Sequence, residues 1–325
     1  MIVYRRAKSV LRTVVKDWRH QRLLEARANR SSAEPEFADL LEARGDWLFT
    51  NLPPEAAAYI YDLHAKDSQK RLATRLGLSV AEEYVTHVPL AEALAFMETT
   101  YLDHFVLKPN NGKSAAGVFC LVREGAKYRE LKSGKLRTPA RLVELAGESY
   151  GKLGRADDWL VEELLLTPHD ASQPADDFKF FCFGDRVEMI FQKGEVMEGK
   201  RRRKVVRFYD RDGVPVNTGL RPEAVSDRLT LPSTIGEMVA VAERASGMIT
   251  TPFMRVDLYD THRGVVLGEF TPGTGRMYQL NAERKERFTR RWHESARALE
   301  AGLLSGEIEP LLPVDPRRAM ELEPA

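Results

Sequence analysis

The sequence predicts an α+β protein with antiparallel sheets, preceded by a mainly helical N-terminal region. Apolar residues recur at helical spacing through most of the first hundred residues. From "HFVLKP" onward, short apolar runs alternate with turn residues, and several pairs of runs have the form of β-hairpins. Because a hairpin joins antiparallel neighbours, we expect antiparallel sheets in the second part of the chain.

Length, charge and cysteine use limit the class of protein. A chain of 325 residues is long enough for two or three lobes. Its 49 basic and 48 acidic residues give a net charge of +1, so we expect no nucleic-acid partner. Cys120 and Cys182 lie in apolar runs, which indicates unpaired buried thiols in a reducing compartment. No apolar run approaches the roughly 18 residues of a membrane span and no secretory signal is evident, so we expect a soluble cytoplasmic protein.

The first 30 residues are strongly basic. They contain nine Arg or Lys but only Asp17 and Glu25 as acids, with aliphatic and aromatic residues between them. This pattern indicates a basic amphipathic helix. Three interpretations remain open: packing on its own protein, attachment to an acidic partner or to the anionic inner face of a membrane, or a targeting peptide. Both acids and the scarcity of serine disfavour the targeting peptide.

Further helices are predicted on both sides of the first strands. "RSSAEPEF" resembles a linker, and helical periodicity resumes through "LLEARGDWLF" and "PPEAAAYIYDLHAKDSQKRLATRLGL". Pro54 and Glu55 suit a helix start, and Gly77 suits a helix end. A later helix over "ARLVELAGESYGKLG" precedes the strand "DWLVEELLL", in which Glu162 and Glu163 interrupt an apolar run.

The first hairpin carries a loop that suits phosphate. An apolar strand ends at Lys108, an eight-residue loop spans Asn110 to Gly117, and "VFCLV" returns. The small residues of the loop let backbone N–H groups approach a ligand, and Lys108 adds a fixed positive charge. A plain mobile hairpin is the alternative, because the order of residues in a Walker loop is absent.

The second hairpin is predicted from "DFKFFCFGDRVEMIFQ", in which a Gly-Asp pair forms a two-residue turn between Phe183 and Arg186. This register sends one set of side chains to the same face: Phe178, Phe180, Cys182, Val187, Met189 and Phe191. Lys179 then lies on the other face, opposite Ile190. A lysine there needs an anionic ligand or a path to water.

The third hairpin brings two carboxylates together. A three-residue loop over 262–264 that ends on a left-handed glycine places Thr261 opposite Val265 and Asp257 opposite Glu269. Directly opposed side chains have Cβ atoms about 5 Å apart, so two like charges repel unless a cation lies between them.

Magnesium suits this pair, because it takes one or two carboxylates and completes its shell with water and phosphate oxygens. Arg255, Tyr259 and Thr271 alternate onto the same face. A solvent-facing polar side of the sheet remains the alternative interpretation.

The basic run at 200–204 has two interpretations. It favours a solvated loop, or an electropositive entrance for an acidic substrate that involves Arg201, Arg202, Arg203 and Arg207.

The order of these features resembles the ATP-grasp superfamily, and within it the teichuronopeptide-biosynthesis (TupA-like) group. The resemblance runs from about Lys66 to Arg276 and rests on "KDSQKRLATRLGL", "FVLKPNNG", "FKFFCFGDRV", "VVRFYDRDG", "RVDLY" and "GEFTPGTG". Where the superfamily has a Glu-x-Asn metal motif, this chain has Glu269-Phe270-Thr271.

The resemblance implies two α+β lobes that grip ATP, and it assigns roles to residues. Arg255 and Lys179 would be catalytic, and Mg²⁺ would be held by Asp257, Glu269 and Thr271. ATP would contact Lys108, Lys179, the loop residues Asn110, Asn111, Gly112, Lys113, Ser114 and Gly117, and the strand residues Glu162, Glu163 and Leu165. The substrate would contact Arg201, Arg202, Arg203, Arg207, Gly273 and Arg276.

The regions implied are a helical part over 1–65, a helical segment over 66–100, a small lobe over 101–165, a large lobe over 166–300 and a tail over 301–325. The implied activity is an ATP-dependent carboxylate–amine ligase that works through an acyl phosphate, in cell-surface polysaccharide or specialised peptide biosynthesis. A kinase of a sugar or alcohol and a non-catalytic nucleotide-binding module stay open. The implied partners are a small or polymeric acidic substrate and an amine, and a homodimer is compatible with the sequence.

Overall fold

The computed structural model describes residues 35–63, 66–110, 117–150, 157–170, 173–198, 201–219, 224–274 and 280–313. Within them the chain has the α+β architecture expected from its sequence, with two antiparallel sheets and helices packed against them. The basic segment 1–30 lies outside the described residues, so its three interpretations stay open. Within the described ranges, no helix has the length and apolar character needed to cross a membrane.

Among the residues described from 35 onward, four helices precede the first strand: α1 Phe37–Glu42, α2 Arg44–Asn51, α3 Pro54–Tyr61 and α4 Lys66–Arg75. Helix α3 begins at the predicted proline, whose fixed φ suits the first helical turn. After α4, Gly77 takes a left-handed φ of +64°. The Leu78 N–H then bonds back to the Ala73 carbonyl at 2.9 Å and ends the helix as predicted.

The first sheet has six strands in the order β1-β6-β2-β3-β4-β5. They span β1 Glu83–Val88, β2 His104–Pro109, β3 Phe119–Glu124, β4 Lys127–Glu130, β5 Lys135–Arg137 and β6 Trp159–Glu163. Helices α5 Leu90–Thr99 and α6 Pro139–Tyr150 share its core with inward-facing strand residues: Phe105, Leu107, Trp159 and Val161. The first predicted hairpin is β2–β3, and the last pair before its loop is Leu107 with Phe119.

The second sheet has five strands in the order β11-β10-β7-β8-β9. They span β7 Asp177–Phe183, β8 Arg186–Glu198, β9 Arg201–Tyr209, β10 Met254–Thr261 and β11 Gly264–Thr271. One face packs against α7 Ile235–Gly247 and against α2, α3 and α4. The other packs against α1 and α8 Ala282–Ser305 through aromatic residues: Phe37, Phe181, Phe183, Phe253, Phe288 and Trp292.

The predicted register of the second hairpin is only partly right. Phe183 pairs with Arg186 as expected, but Phe181 pairs with Met189 and Cys182 with Val187, so β8 contains a bulge. Beyond it Met189 and Phe191 turn to the opposite face, and Lys179 lies opposite Phe191 instead of Ile190.

Glu188 is the extra residue of this bulge, and its side chain is buried. Its carboxylate is 2% exposed and pairs with Arg287 and with Arg291 Nε (2.8 Å), both on α8. The bulge therefore turns an acid toward the two arginines of the helix that covers this face.

The interpretation of 200–204 as a loop is wrong for the described residues 201–204, because they lie in β9. Cross-strand pairs place Glu195 opposite Lys204 and Glu198 opposite Arg201. Arg203 Nε also donates to Glu198 Oε1 at 2.7 Å. Acids on β8 thus offset the repulsion that favoured a loop.

The C-terminal part is more ordered than the expected tail. Helix α8 continues to Ser305 and ends at Gly306, which takes a φ of +76°. Leu311 is buried against the core of the second sheet, and its N–H donates to Thr250 Oγ1 at 3.1 Å. Cys120 and Cys182 are unpaired and buried, as predicted.

Glu188→Ala is expected to lower the free energy of unfolding by about 1–3 kcal/mol, because it removes the hydrogen bond from Arg291 and the ion pair with Arg287 at a buried carboxylate. Urea unfolding monitored by circular dichroism measures this loss. Glu294 is the matched control, since it pairs with Arg291 at the surface. We expect Glu294→Ala to change the free energy by about 0.5 kcal/mol or less. Equal stability of the two variants would contradict the role of Glu188.

Candidate active site

Asp257 and Glu269 are direct cross-strand neighbours, as the sequence predicts, but the hairpin reaches this register differently. The predicted three-residue loop is wrong, because Thr261 pairs with Gly264 across a two-residue turn. Leu258 pairs with Leu267, so a bulge at Gly268 restores the lost residue. The turn is one residue shorter than predicted and the bulge adds one residue, so Asp257 still lies opposite Glu269.

Arg255 lies between the two carboxylates and relieves their repulsion. Its Nε donates to Asp257 Oδ1 at 2.6 Å, and its Nη2 donates to Asp257 Oδ2 at 2.7 Å and to Glu269 Oε1 at 2.9 Å. Thr271 Oγ1 accepts from the same Nη2 at 2.9 Å and donates to Glu269 at 3.2 Å. Arg255, Asp257, Glu269 and Thr271 therefore form one network.

Lys179 joins this network from β7. It pairs with Asp257 across the strands, and its Nζ donates to Asp257 Oδ2 and to Asp177 Oδ2, each at 2.6 Å. Burial lowers the pKa of Lys179, but the carboxylates of Asp257 and Asp177 outweigh it and raise the pKa above its usual value. The ammonium is therefore charged at neutral pH. Sequence reasoning missed Asp177, although strand alternation puts it on the face of Lys179.

The network carries a surplus of negative charge when all its groups are ionised. Asp177, Asp257 and Glu269 contribute −3, and Lys179 and Arg255 contribute +2, which leaves −1. Burial, followed by the charge of Asp257, raises the pKa of Glu269. Burial also raises the pKa of Asp177, against the opposing effect of Lys179. A cation entering the site would favour ionisation of both carboxyl groups.

Tyr259 lies on β10, two residues beyond Asp257. Burial raises the pKa of its hydroxyl well above the usual value, and nearby carboxylates add to the effect: Asp177, Asp257, Glu162 and Glu269. The hydroxyl therefore stays neutral among four acids. A Cβ at Gly268 would lie 2.7 Å from Tyr259 Cε2, so only glycine lets the ring take this position.

Lys108 forms an ion pair with Glu162 on the neighbouring strand β6. Glu162 thus balances the charge of Lys108 in the absence of a ligand. At the start of the loop, Asn110 is buried, and its backbone and side-chain N–H groups donate to Asp158. Gly117 at the loop end takes a φ of +75°, and a Cβ added there would lie 3.2 Å from Pro109 Cδ. Asn111, Gly112, Lys113 and Ser114 lie outside the described residues.

Glu163 and Leu165, predicted to hold the nucleotide, make contacts within the protein. Glu163 Oε2 accepts from Arg263 Nη2 at 2.6 Å, so it ties the β10–β11 turn to the first sheet. Leu165 accepts from the Ala175 N–H at 2.8 Å through its carbonyl.

The predicted substrate residues that the structure describes lie in two separate places. Arg203 and Arg207 belong to β9, three strands from β10, and Arg207 Nη1 donates to the carbonyls of Asp227 and Leu229. Gly273 follows β11, next to Thr274, whose carbonyl accepts from Arg255 Nη1 at 3.3 Å. Arg276 and the side chains of Arg201 and Arg202 lie outside the description.

The oxygen atoms of this network fit magnesium when water and phosphate supply the other ligands of the ion. In the described part of the chain, no three side chains of Asp, Glu, His or Cys are grouped to hold a metal ion by themselves. Asp257 and Glu269 supply hard oxygen donors side by side. Such a pair suits an ion that takes one or two carboxylates and obtains its other ligands from water and phosphate.

A family model described as TupA-like ATPgrasp matches residues 91–289, more than half of the chain. The chain belongs to this family. Its membership confirms the resemblance inferred from the sequence and the expectation of an ATP-grasp enzyme. No curated protein matches the sequence.

Solved structures of several ligases are similar to this chain. The D-alanine–D-alanine ligase of Helicobacter pylori is 16% identical over 72% of this chain and 58% of its own, with a TM-score of 0.39. VanG D-Ala:D-Ser ligase of Enterococcus faecalis is 16% identical over 76% of this chain and 63% of its own, with a TM-score of 0.42. The ATP-grasp ligase PsnB, complexed with precursor peptide PsnA2 and AMPPNP, is 17% identical over 88% of this chain and 72% of its own, with a TM-score of 0.42. This chain spans less than two thirds of the first two, and similarities this low say nothing about its substrates.

Gly268→Ala is expected to lower the free energy of unfolding by about 1–3 kcal/mol, because the added methyl group would overlap the Tyr259 ring. Chemical denaturation measures this loss. Gly236→Ala on α7 is the control, since its Cβ meets open space. We expect it to leave stability unchanged or to raise it by about 0.5–1 kcal/mol. A Gly268→Ala protein as stable as this control would argue against the close packing of Tyr259.

Proposed function

We propose that this ATP-grasp protein is an ATP-dependent carboxylate–amine ligase. The observation that carries the proposal is the network in which Asp257 and Glu269 face each other, with Arg255 between them and Lys179 beside them. Two adjacent carboxylates and two fixed cations on one sheet face are suited to a magnesium–triphosphate complex.

Each residue has a part in this proposal. Asp257, Glu269 and Thr271 would hold Mg²⁺, and the Thr271 hydroxyl also donates to Glu269 Oε1. The ion would neutralise phosphate charge when it is bound. Lys179 and Lys108 would contact phosphate oxygens, and the 110–117 loop would cover them. Arg255 would stabilise negative charge on the group being transferred.

The reaction would proceed in two balanced steps. A substrate carboxylate attacks the γ-phosphorus of ATP, and ADP leaves, which gives an acyl phosphate. An amine then attacks the acyl carbon, phosphate leaves, and the amine loses a proton to form the amide. The protein mainly holds the reactants in line and neutralises charge, which accounts for most catalysis in phosphoryl transfer.

Two further observations favour a class of acid and a pathway. The resemblance to the teichuronopeptide-biosynthesis group favours cell-surface polysaccharide or specialised peptide assembly in the cytoplasm. The basic edge strand β9, with an exposed Lys204, favours a small or polymeric acidic substrate. A homodimer and membrane contact through residues 1–30 stay predictions.

A screen of acid and amine pairs for ADP release tests the proposal. A ligase releases ADP and free phosphate only when both the acid and the amine are present, and mass spectrometry then detects the amide. Phosphate left on an acceptor would identify a kinase instead.

Asp257→Asn is expected to lower the rate of ADP release by about 100-fold or more, because it removes charge that would hold the metal ion. Asp212→Asn is the matched control, since Asp212 is an exposed acid near Arg211 on a surface turn. We expect it to keep the wild-type rate. Wild-type activity in Asp257→Asn would rule out the proposed role of this network.

A further inference from the structure

We propose that Asp177 is a positioning residue that keeps the Lys179 ammonium directed at a bound nucleotide phosphate. The inference rests on the proposed function and adds a residue to the same site. Asp177 is the first residue of β7, lies two residues before Lys179 on the same face, and pairs with Tyr259 on β10. Its Oδ2 accepts from Lys179 Nζ at 2.6 Å.

The two carboxylates that hold Lys179 differ in their other contacts. Asp257 accepts from Lys179 and also from two nitrogens of Arg255. Asp177 accepts from Lys179 through Oδ2, while its Oδ1 is buried and has no hydrogen-bond partner among the described residues. Asp257 therefore binds both Lys179 and Arg255, whereas Asp177 binds Lys179.

This difference matters when a divalent ion binds between Asp257 and Glu269. The ion would use lone pairs of Asp257 and repel the ammonium of Lys179. Asp177 would then be the carboxylate that retains Lys179 at the site. A lysine has a flexible four-carbon stem, so a fixed partner reduces the freedom it loses when it meets a phosphate.

The sign of the effect on nucleotide affinity separates positioning from simple electrostatics. An ionised Asp177 repels a triphosphate by charge alone, so its neutralisation should strengthen binding. A residue that positions Lys179 has the opposite effect, because its neutralisation releases the lysine. Neutralising Asp177 should therefore weaken binding only while Lys179 is present.

The experiment is calorimetric titration of the full chain with AMPPNP, with and without Mg²⁺. In the presence of Mg²⁺ we expect Asp177→Asn to raise the Kd by about 10-fold, the size expected for one charge-assisted hydrogen bond. We expect a smaller effect without Mg²⁺, because Asp257 still holds Lys179. In a Lys179→Met background, Asp177→Asn should leave the Kd unchanged or lower it.

Two further variants complete the test. Asp176→Asn removes the same charge from the neighbouring exposed residue, and we expect it to leave the Kd unchanged or lower it. Asp177→Glu restores a carboxylate and should recover most of the affinity. Thermal unfolding of each variant establishes that it is folded, and Asp177→Ser replaces Asp177→Asn if the latter is not.

The outcomes separate this inference from the proposed function. If the wild-type protein does not bind Mg²⁺ and AMPPNP, the proposed function fails and the role of Asp177 with it. If the wild-type protein binds and Asp177→Asn binds equally or more tightly, only the positioning role is overturned. An equal loss of affinity with and without Lys179 would also overturn it.

Discussion

The site depends on one constraint, which is that two like charges face each other on adjacent strands. Asp257 is 2% exposed, so its charge must be balanced by protein groups when no ligand is present. Arg255 and Lys179 provide this balance with hydrogen bonds of 2.6 and 2.7 Å. The same groups suit magnesium and triphosphate, because the ion can take the place of the cations at the carboxylates, and the freed cations can then contact phosphate.

The hairpin that carries this network also contacts the first sheet. The bulge at Gly268 sets the register of Asp257 with Glu269 and leaves room for the Tyr259 ring. Arg263, in the turn of the same hairpin, contacts Glu163 and the Val80 carbonyl near the first sheet. One hairpin thus carries the acidic pair and also joins the sheets, so changes in its register would alter both.

Local patterns in the sequence predicted most of the architecture and the facing carboxylates. The errors in β8 and β9 arose where contacts with other elements decided the local structure. Glu188 forms a bulge because it pairs with arginines of α8, about 100 positions away in the chain. A hairpin register inferred from the turn and the alternation of side chains does not include contacts at this distance. The basic run is a strand because glutamates on β8 face it. The ion pair of Glu162 with Lys108 became evident only in the three-dimensional structure. The hydrogen bond of Asp177 with Lys179 was also missed, although alternation along β7 places the two side chains on the same face.

The central claim is that a divalent ion between Asp257 and Glu269 holds a triphosphate near both strand lysines. A crystal structure of the protein with Mn²⁺ and AMPPNP tests it most directly, because anomalous scattering locates the ion without ambiguity. The account predicts an anomalous peak within coordination distance of both carboxylates, with phosphate oxygens in contact with Lys179 and Lys108. An ion bound at other residues, or a nucleotide bound away from both lysines, would contradict it.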